Sequence, residues 1–332
     1  MAVTTYGAVA PSKTTQVYFE REALKFAEPV IVLGKFGATK SMPQNKGQSV
    51  EFRRPRTFTA ATTPLMEGVT PSARTFSYDT VSVSLRQYGD LVEITDHIAD
   101  THMDPVLNEA AQQSGQNIGR TIEQLTYGVV KAGTQVLYAN GTARTDVNTA
   151  IALGDLRAAV RALEAQKAQR ITRILSASPD YGTSAVEAGF VAICHTDLAN
   201  DIRGIAGFVP AAQYGSRSLL HPRELGSVED IRFITSPDLA PWADAGGAKG
   251  SMLSTSGTSA DVYPVLVLGQ DAFGTVAIKG LGAVEPSIIP VGTKSGADPL
   301  GQRGYVGWKT WFAAKVLNEN WMARIECAAT AL

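Results

Sequence analysis

The sequence predicts an α+β fold carried by one very long helix, and three observations predict it. Two runs in which apolar and polar residues alternate lie at 47–60 and 80–95, the period-2 pattern of half-buried strands. Between Leu107 and Val129, apolar or small residues recur at helical spacing. From residue 190 onward come strand-length runs without charged residues, at Phe190–Cys194, Val262–Leu268 and Thr275–Ile278; such runs mark strands buried on both faces. A chain of 332 residues, 44% of them apolar, is long enough to bury a sizeable core as two domains or one elaborated one.

Residues 1–20 are small and polar with little periodicity and read as an extended arm or a frayed terminus. A short helical stretch from Val17 to Ala27 ends at Pro29. Gly47 opens the first alternating run, in which Val50 and Phe52 share a face; Pro55 cannot donate to a ladder, so this strand has an exposed edge. Thr57–Thr75 is rich in Thr, Pro, Ala and Gly and reads as a long loop tip. On the return run Val81, Val83 and Leu85 share one face, whereas Tyr88, Val92 and Ile94 take the other parity. A bulge or bend near Gly89 accounts for the change. Together the two runs predict a long antiparallel hairpin projecting from a core.

Asp104 is placed to cap the long helix, and Pro105 suits its first position. Leu107, Ala111, Ser114, Ile118, Ile122, Leu125 and Val129 follow at spacings of 4, 3, 4, 4, 3 and 4, close to the 3.6 residues of a helical turn. Gly133 ends the helix. From Asp104 to Ala132 it is roughly 40 Å long at 1.5 Å per residue. Gly115, Gly119 and Gly128 lie inside it, each costing up to ~1 kcal/mol against Ala, so close packing on that side or a bend is expected. A second helix is expected over 155–168, with Leu156, Val160 and Leu163 on one face, then a short one over 197–203 and a strand at Ile231–Ile234. Gly204–Gly226 reads as loop-rich, and Pro237–Ala260, rich in Gly, Ala and Ser, as a mobile surface loop. The C-terminal pattern predicts a hairpin. Trp308, Phe312, Ala314 and Val316 share one parity, Asn318-Glu319-Asn320 turns, and Trp321, Ala323, Ile325 and Cys327 share a parity on the return.

Composition narrows the function. Charged residues make up 18%, below the roughly 25% of average soluble proteins, which suits a chain that buries surface in an oligomer. Thirty Lys+Arg against 31 Asp+Glu leave a net charge of −1, which argues against a general nucleic-acid binder. Two cysteines, Cys194 and Cys327, exclude a disulfide-built secreted fold and are compatible with a reducing cytosol. Met1–Ala10 has no basic cluster before an apolar core, so no signal peptide is expected. No apolar run approaches the ~20 residues of a membrane-spanning helix.

Catalytic signatures are missing. Gly34-Lys35 is followed by Phe36, which lacks the hydroxyl of a P-loop, and no G-x-S-x-G, H-E-x-x-H or C-x-x-C occurs. His97 and His102 lie among Asp96, Asp100 and Asp104, donors a metal would use. A spacing of five does not put both on one helical face, and a polar helix entrance explains the cluster. Cys194-His195, near Asp197, suggests a Cys/His nucleophile, yet neighbours on a strand point to opposite faces, leaving Cys194 as a small core residue. No catalytic, cofactor-binding or metal residue is assigned. The basic run Lys46, Arg53, Arg54 and Arg56 has three readings: phosphate contacts, a charged guard on a strand edge, or pairing with acids of a neighbouring subunit. With only Phe52 and Phe58 interleaved, it is no stacking platform for single strands.

The order of arm, projecting hairpin, very long helix and mixed α/β body resembles the major capsid proteins of tailed bacteriophages, with their Hong Kong ninety-seven-type fold. Local words narrow the likeness. They are Leu65-Met-Glu-Gly-Val-Thr-Pro-Ser-Ala-Arg74, Leu85-Arg-Gln-Tyr-Gly-Asp-Leu-Val-Glu-Ile-Thr-Asp96 and Phe190-Val-Ala-Ile-Cys-His-Thr-Asp197. Gly207-Phe-Val-Pro210, Tyr214-Gly-Ser-Arg217, His221-Pro222, Gly226-Ser-Val-Glu-Asp230 and Asp298-Pro-Leu-Gly-Gln-Arg-Gly-Tyr-Val-Gly-Trp-Lys-Thr-Trp311 continue the series. In this order, over residues 65–311, they resemble the coliphage N-four-type major capsid protein family.

The resemblance implies a tailed-phage capsid fold with an N-arm at 1–44, an E-loop hairpin and flanking strands at 45–95, and a P-domain at 96–149 containing a spine helix at 104–132. A mainly A-domain segment would follow at 150–285, then C-terminal P-domain strands at 286–332. It implies a structural protein, not an enzyme, without cofactor. Pentamers and hexamers of the chain would build an icosahedral virion shell around packaged double-stranded DNA on its inner face, assembled in the host bacterial cytoplasm. Scaffolding, portal and decoration proteins are further expected partners, and a membrane is not. The arm and hairpin would carry inter-subunit contacts, with Arg53, Arg54, Arg56 and Glu67 as the E-loop candidates; the likeness favours the neighbouring-subunit reading of the arginines. No long charged helical leader precedes residue 17, so a separate scaffolding protein or another initiation route is expected. Residues for a Lys–Asn crosslink cannot be matched. The 237–260 segment is a candidate for the capsomer centre. Two alternatives differ in kind: an encapsulin-like nanocompartment shell predicts a cargo groove, and a metal-dependent hydrolase at His97 and His102 predicts stoichiometric metal.

Overall fold

In a computed structural model that describes residues 31–332, apart from 44, 46, 57, 69, 102–105, 176–182, 216–217, 279–283, 290 and 295–297, the uncharged runs form the centre of the fold. The first half of the chain supplies β1 (Ala38–Met42), β2 (Ser49–Pro55), β3 (Tyr78–Ser84), β4 (Arg86–Thr95), α1 (Asp96–Thr101), α2 (Val106–Lys131), β5 (Val136–Tyr138) and α3 (Leu153–Ala165). The second supplies β6 (Ile171–Leu175), β7 (Thr183–Cys194), α4 (Ala199–Arg203), β8 (Phe208–Pro210), β9 (Glu224–Val228), β10 (Ile231–Thr235) and β11 (Val262–Leu268). The last four strands are β12 (Phe273–Ile278), β13 (Val284–Ile289), β14 (Arg303–Val316) and β15 (Met322–Ala328).

The larger sheet runs β5-β15-β11-β7-β10-β9-β8, with β6 added on β7. β11 and the Phe190–Cys194 end of β7 carry no charged residue because both faces are covered. Phe190, Ala192, Cys194, Phe233, Val265, Val267 and Ile325 face one side, closed by Leu156, Ala159 and Leu163 of α3, Leu198 of the turn before α4 and Ile202 of α4. Val191, Ile193, Ile234, Leu266 and Leu268 face the other, closed by Tyr127 and Val130 of α2 and by Val32, Leu33 and Phe36. Pro264 is tolerated inside β11 because β11 pairs along its length with β15 but with β7 only at Leu266–Leu268.

The smaller sheet is organised by β14. β4 runs along one edge, from Thr95 opposite Arg303 to Arg86 opposite Phe312. β13 and then β12 share the other edge, and β1 joins β12 in parallel. α2 is tied to this sheet where Asn117 Nδ2 donates to Asp90 Oδ2 at 3.1 Å. The α+β expectation is met.

The projecting hairpin is β2 with β3, in register from Ser49 opposite Ser84 to Pro55 opposite Tyr78. Its base is held by Val50, Val83 and Leu85 against Met42 and Val276. The change of parity falls at Leu85, where the chain leaves the hairpin for the β14 sheet, and not as a bulge at Gly89. Gly89 has a different cause: a Cβ there would stand 2.6 Å from the Trp308 carbonyl oxygen.

The long helix runs Val106–Lys131; the proposed cap Asp104 and Pro105 lie outside the described residues. Its buried stripe follows the expected Ala111, Ser114 and Ile118, then shifts by one position to Glu123, Thr126, Tyr127 and Val130. Ile122, Leu125 and Val129 are left half-buried. Polar anchors cause the shift: Glu123 accepts the backbone N–H groups of Val32 and Leu33 at 3.1 Å, and the Tyr127 hydroxyl donates to the Ala240 carbonyl at 2.8 Å. Gly115 and Gly119 are buried, but Gly128 faces open space, so the close-packing argument fails there.

Two further expectations are corrected. The C-terminal hairpin does not form: β14 belongs to the smaller sheet and β15 to the larger, so 317–321 is a crossing between sheets. Ala272 O accepts the N–H groups of Leu317 and Asn318 at 2.9 and 3.0 Å and fixes that crossing. β15 is buried at every position because it lies between β5 and β11. The 237–260 segment has little regular structure but is pinned, not a free surface loop. Asp261 accepts Asp244 N–H at 2.8 Å, Thr255 N–H at 3.1 Å and the Thr255 hydroxyl at 2.9 Å. Asp244 in turn accepts Ser254 Oγ and Ser256 N–H. The 17–27 helix lies outside the described residues.

Candidate subunit interface

Beyond the ladder of β2 and β3, every described residue from Arg56 to Ser77 is exposed. Thr, Pro and Gly give this tip no periodic apolar face to bury on its own body. Large apolar side chains are nonetheless concentrated there. Leu65 and Met66 are 77% and 75% exposed, and Phe58, Phe76 and Tyr78 are more than half exposed. Phe58 lies 6.0 Å from Phe76, and Phe76 meets Tyr78 edge-on at 4.8 Å, a geometry that stiffens the neck of the loop. An exposed apolar patch of this kind marks an interaction surface.

The structure places the four candidate residues on this hairpin but does not bring them together. Arg54 Nη2 and Arg56 Nε share Asp79, at 3.3 and 2.6 Å, and Arg53 Nη2 meets Glu51 at 3.3 Å. The Arg56 hydrogen bond, joined by Arg54, holds the Asp79 carboxyl below the usual carboxylate range. The guanidinium of Arg54 also lies 5.6 Å from the Trp321 ring centroid. Each arginine is therefore already paired within its own chain, while two of them share a single carboxylate. Glu67 is exposed at the tip and makes no ion pair among the described residues. Lys46 lies outside them.

The catalytic candidates resolve into structure. Cys194 is fully buried, and burial pushes its thiol up to about 12, so it is no nucleophile at neutral pH. His195 accepts the Asp197 N–H on Nδ1, and Asp197 accepts the Tyr263 hydroxyl at 2.8 Å, which caps the short helical turn that follows. His97 is exposed on α1, His102 lies outside the described residues, and no group of three or more metal donors occurs among them.

Sequence reasoning missed a set of buried charges. Glu224 takes Arg232 Nε at 2.6 Å, Leu220 N–H at 2.7 Å and the Tyr214 hydroxyl at 3.0 Å. Glu326 and Glu123 are fully buried. Burial raises the Glu123 carboxyl to about 7, against the lowering effect of the Leu33 and Val32 N–H groups. Glu326 stands with Arg324 on the polar parity of Ala323-Arg-Ile-Glu-Cys327, a pattern that reads as a solvated face and hides its burial. Nothing in the pattern around Glu224 marks it.

Comparison with known proteins bears on this geometry. The family model described as "Phage capsid protein" matches residues 78–325. The "Major capsid protein" of Pseudomonas phage KPP21 is 24% identical over 166 residues, 48% of this chain and 42% of that protein, so the match spans less than half of that relative's length. The capsid of Ralstonia phage GP4 has a TM-score of 0.66 at 14% identity, covering 92% of this chain and 91% of that one. The capsid of cyanophage Pam1 has a TM-score of 0.62 at 14% identity, covering 100% and 97%. At these identities the two solved structures share the fold.

Proposed function

Because the chain belongs to the phage capsid protein family, we propose that it is the major capsid protein of a phage, a structural subunit that builds the head shell from many copies of itself. The observation that carries this reading is the family match over 78–325, and the exposed apolar hairpin tip gives it a physical means. A subunit that projects Leu65, Met66, Phe58 and Phe76 into water gains most by laying them on a neighbour. Several such contacts per subunit act together, so weak pairwise affinity yields a stable shell. The family match also favours a phage shell over a cellular nanocompartment or a hydrolase.

In this reading the β2–β3 hairpin is the E-loop and α2 the spine helix. The smaller sheet is the core of the P-domain, and the larger sheet with α3 and α4 is the A-domain. Residues 1–44 form the N-arm. Pentamers and hexamers close an icosahedral shell around double-stranded DNA inside the virion, after assembly in the bacterial cytoplasm with scaffolding, portal and decoration proteins as partners. Arg53, Arg54 and Arg56 reach acids of the neighbouring subunit by exchanging or sharing their present partners.

Negative-stain electron microscopy of the purified protein, with size-exclusion chromatography, tests the proposal. Closed shells or rings of five and six subunits are expected. A monomer or dimer at every salt and concentration, also when co-expressed with the neighbouring head genes, would overturn it.

A further inference from the structure

Around the Trp242 ring three cations meet one carboxylate. Arg144 Cζ lies 3.7 Å from the ring centroid, Lys131 Nζ 4.0 Å and Arg324 Cζ 5.3 Å. Glu326, fully buried, takes Arg144 through two 2.8 Å hydrogen bonds and faces Arg324 Nε as an ion pair at 2.9 Å, so its charge is committed. Lys131 donates to the Ala240 carbonyl at 3.1 Å and makes no ion pair among the described residues. Burial, then Arg144 and Arg324, lower its pKa. The cluster therefore holds an excess of positive charge that water screens poorly. It is nonetheless open on one side: the Arg144 side chain is 33% exposed, and Lys131 and Trp242 are half-buried. The isolated chain has the converse elsewhere. Glu67 stands unpaired among the described residues at the hairpin tip, directly after the exposed Leu65 and Met66.

We propose that the Trp242 site receives the hairpin tip of a second copy of this chain, with Glu67 on Lys131 and Arg144 and with Met66 on the indole ring. The assignment rests on the shell-subunit reading and names the receptor for its projecting loop. Chemistry selects this occupant. The cations converge on one ring, whereas a nucleic-acid backbone needs a row of cations along its phosphates. The ring beside them gives an apolar thioether a surface, and sulfur–aromatic contact is favourable. A charge from a partner offsets the local excess, and it also sets register between copies.

Charge exchange tests the pair. Lys131→Glu and Glu67→Lys are each expected to lower the yield of closed shells by roughly tenfold or more, and the double variant to restore it to within about twofold of wild type. Circular dichroism and melting of the unassembled subunits show whether each variant is folded. Lys131→Gln removes the charge, keeps most of the stem, and must show the same loss even if Lys131→Glu does not fold. Wild-type yields in any folded single variant, or a double variant no better than the worse single, would overturn the site while leaving the capsid reading intact. Normal shells that retain DNA poorly in Lys131→Gln would put a phosphate there instead, which also overturns it. Absence of shells from wild type itself would remove both.

Discussion

Replacing Glu123 by Gln isolates one buried charge and tests its worth by pH. In wild type the carboxyl rises from 4.5 to about 7 because it is wholly buried on α2, with the Asp238 charge adding to the effect and Arg223 opposing it. A carboxyl whose folded value is raised stabilises the fold fully below the unfolded value, and that contribution is lost as pH climbs through the folded one. The interval, at about 1.4 kcal/mol per pH unit, amounts to roughly 3 kcal/mol. His221 works in the opposite sense. Burial first, then Lys35 and Arg223, push it from 6.5 down to about 4, so its contribution is present above pH 6.5 and lost as pH falls through 4. Between pH 4.5 and 6.5 the two slopes oppose each other, and the Glu123→Gln variant exposes the histidine slope alone. The assay is urea unfolding of unassembled subunits at pH 4.5 and 7.5. Groups common to both proteins cancel in the difference, so the variant gains about 3 kcal/mol on wild type between the two pH values. One oxygen, Oε2, already lies 3.1 Å from both the Val32 and Leu33 nitrogens, so the amide oxygen can keep both bonds; turning its NH2 toward the Leu33 N–H is a fixed cost that does not depend on pH. A difference that stays constant within about 1 kcal/mol would refute the argument.

Other expectations concern packing and assembly. Gly89→Val pushes a side chain into the Trp308 carbonyl and forces β4 from β14; thermal unfolding should show a loss of about 1–3 kcal/mol. Glu224→Ala strands Arg232 and the Leu220 N–H in the core and should cost about 3–5 kcal/mol by the same measurement. Leu156→Ala, under α3 against the larger sheet, should cost about 3 kcal/mol in urea unfolding. Replacing residues 58–76 with a short Asn-Gly turn should leave the melting temperature of the subunit unchanged while closed shells disappear from electron micrographs.

What the sequence revealed and what it hid follow from the range of the forces involved. The β2–β3 hairpin was legible because its alternation is a local signature of one covered face. β11 and the Phe190–Cys194 end of β7 were legible because double burial leaves no charged position there, and β10 departs from that only at Arg232. The long helix was legible in extent, yet its stripe slipped after Ile118, since Glu123 answers N–H groups about 90 residues away and no helical period encodes that. The C-terminal pair misled for a similar reason. Two alternating strands and a tight Asn-Glu-Asn turn are sufficient for a hairpin locally, but β12 and β13 compete for β14 while β11 and β5 compete for β15. Asp244 and Asp261 turned a Gly- and Ser-rich stretch into a clasp by side-chain bonds that composition does not display. At the interface, Arg54, Arg56 and Glu67 could be named from the chain, but Asp79 as the common partner of both arginines required the register of the hairpin.

The position of β15 has a consequence for how the protein is made. It fills the gap between β5 and β11 in the larger sheet, yet it follows every other strand in the chain. A ribosome that has finished β5 at Tyr138 must add about 190 residues before Ala328 emerges, roughly 10–40 s at 5–20 residues per second. Through that interval β5 waits without its partner, and once Leu268 is made the edge of β11 is bare as well, the state most prone to stray pairing with its neighbours on a crowded polysome. The fold thereby imposes a delay: a polypeptide still being translated cannot complete the body on which lattice contacts depend, and protection by host chaperones matters most in that window.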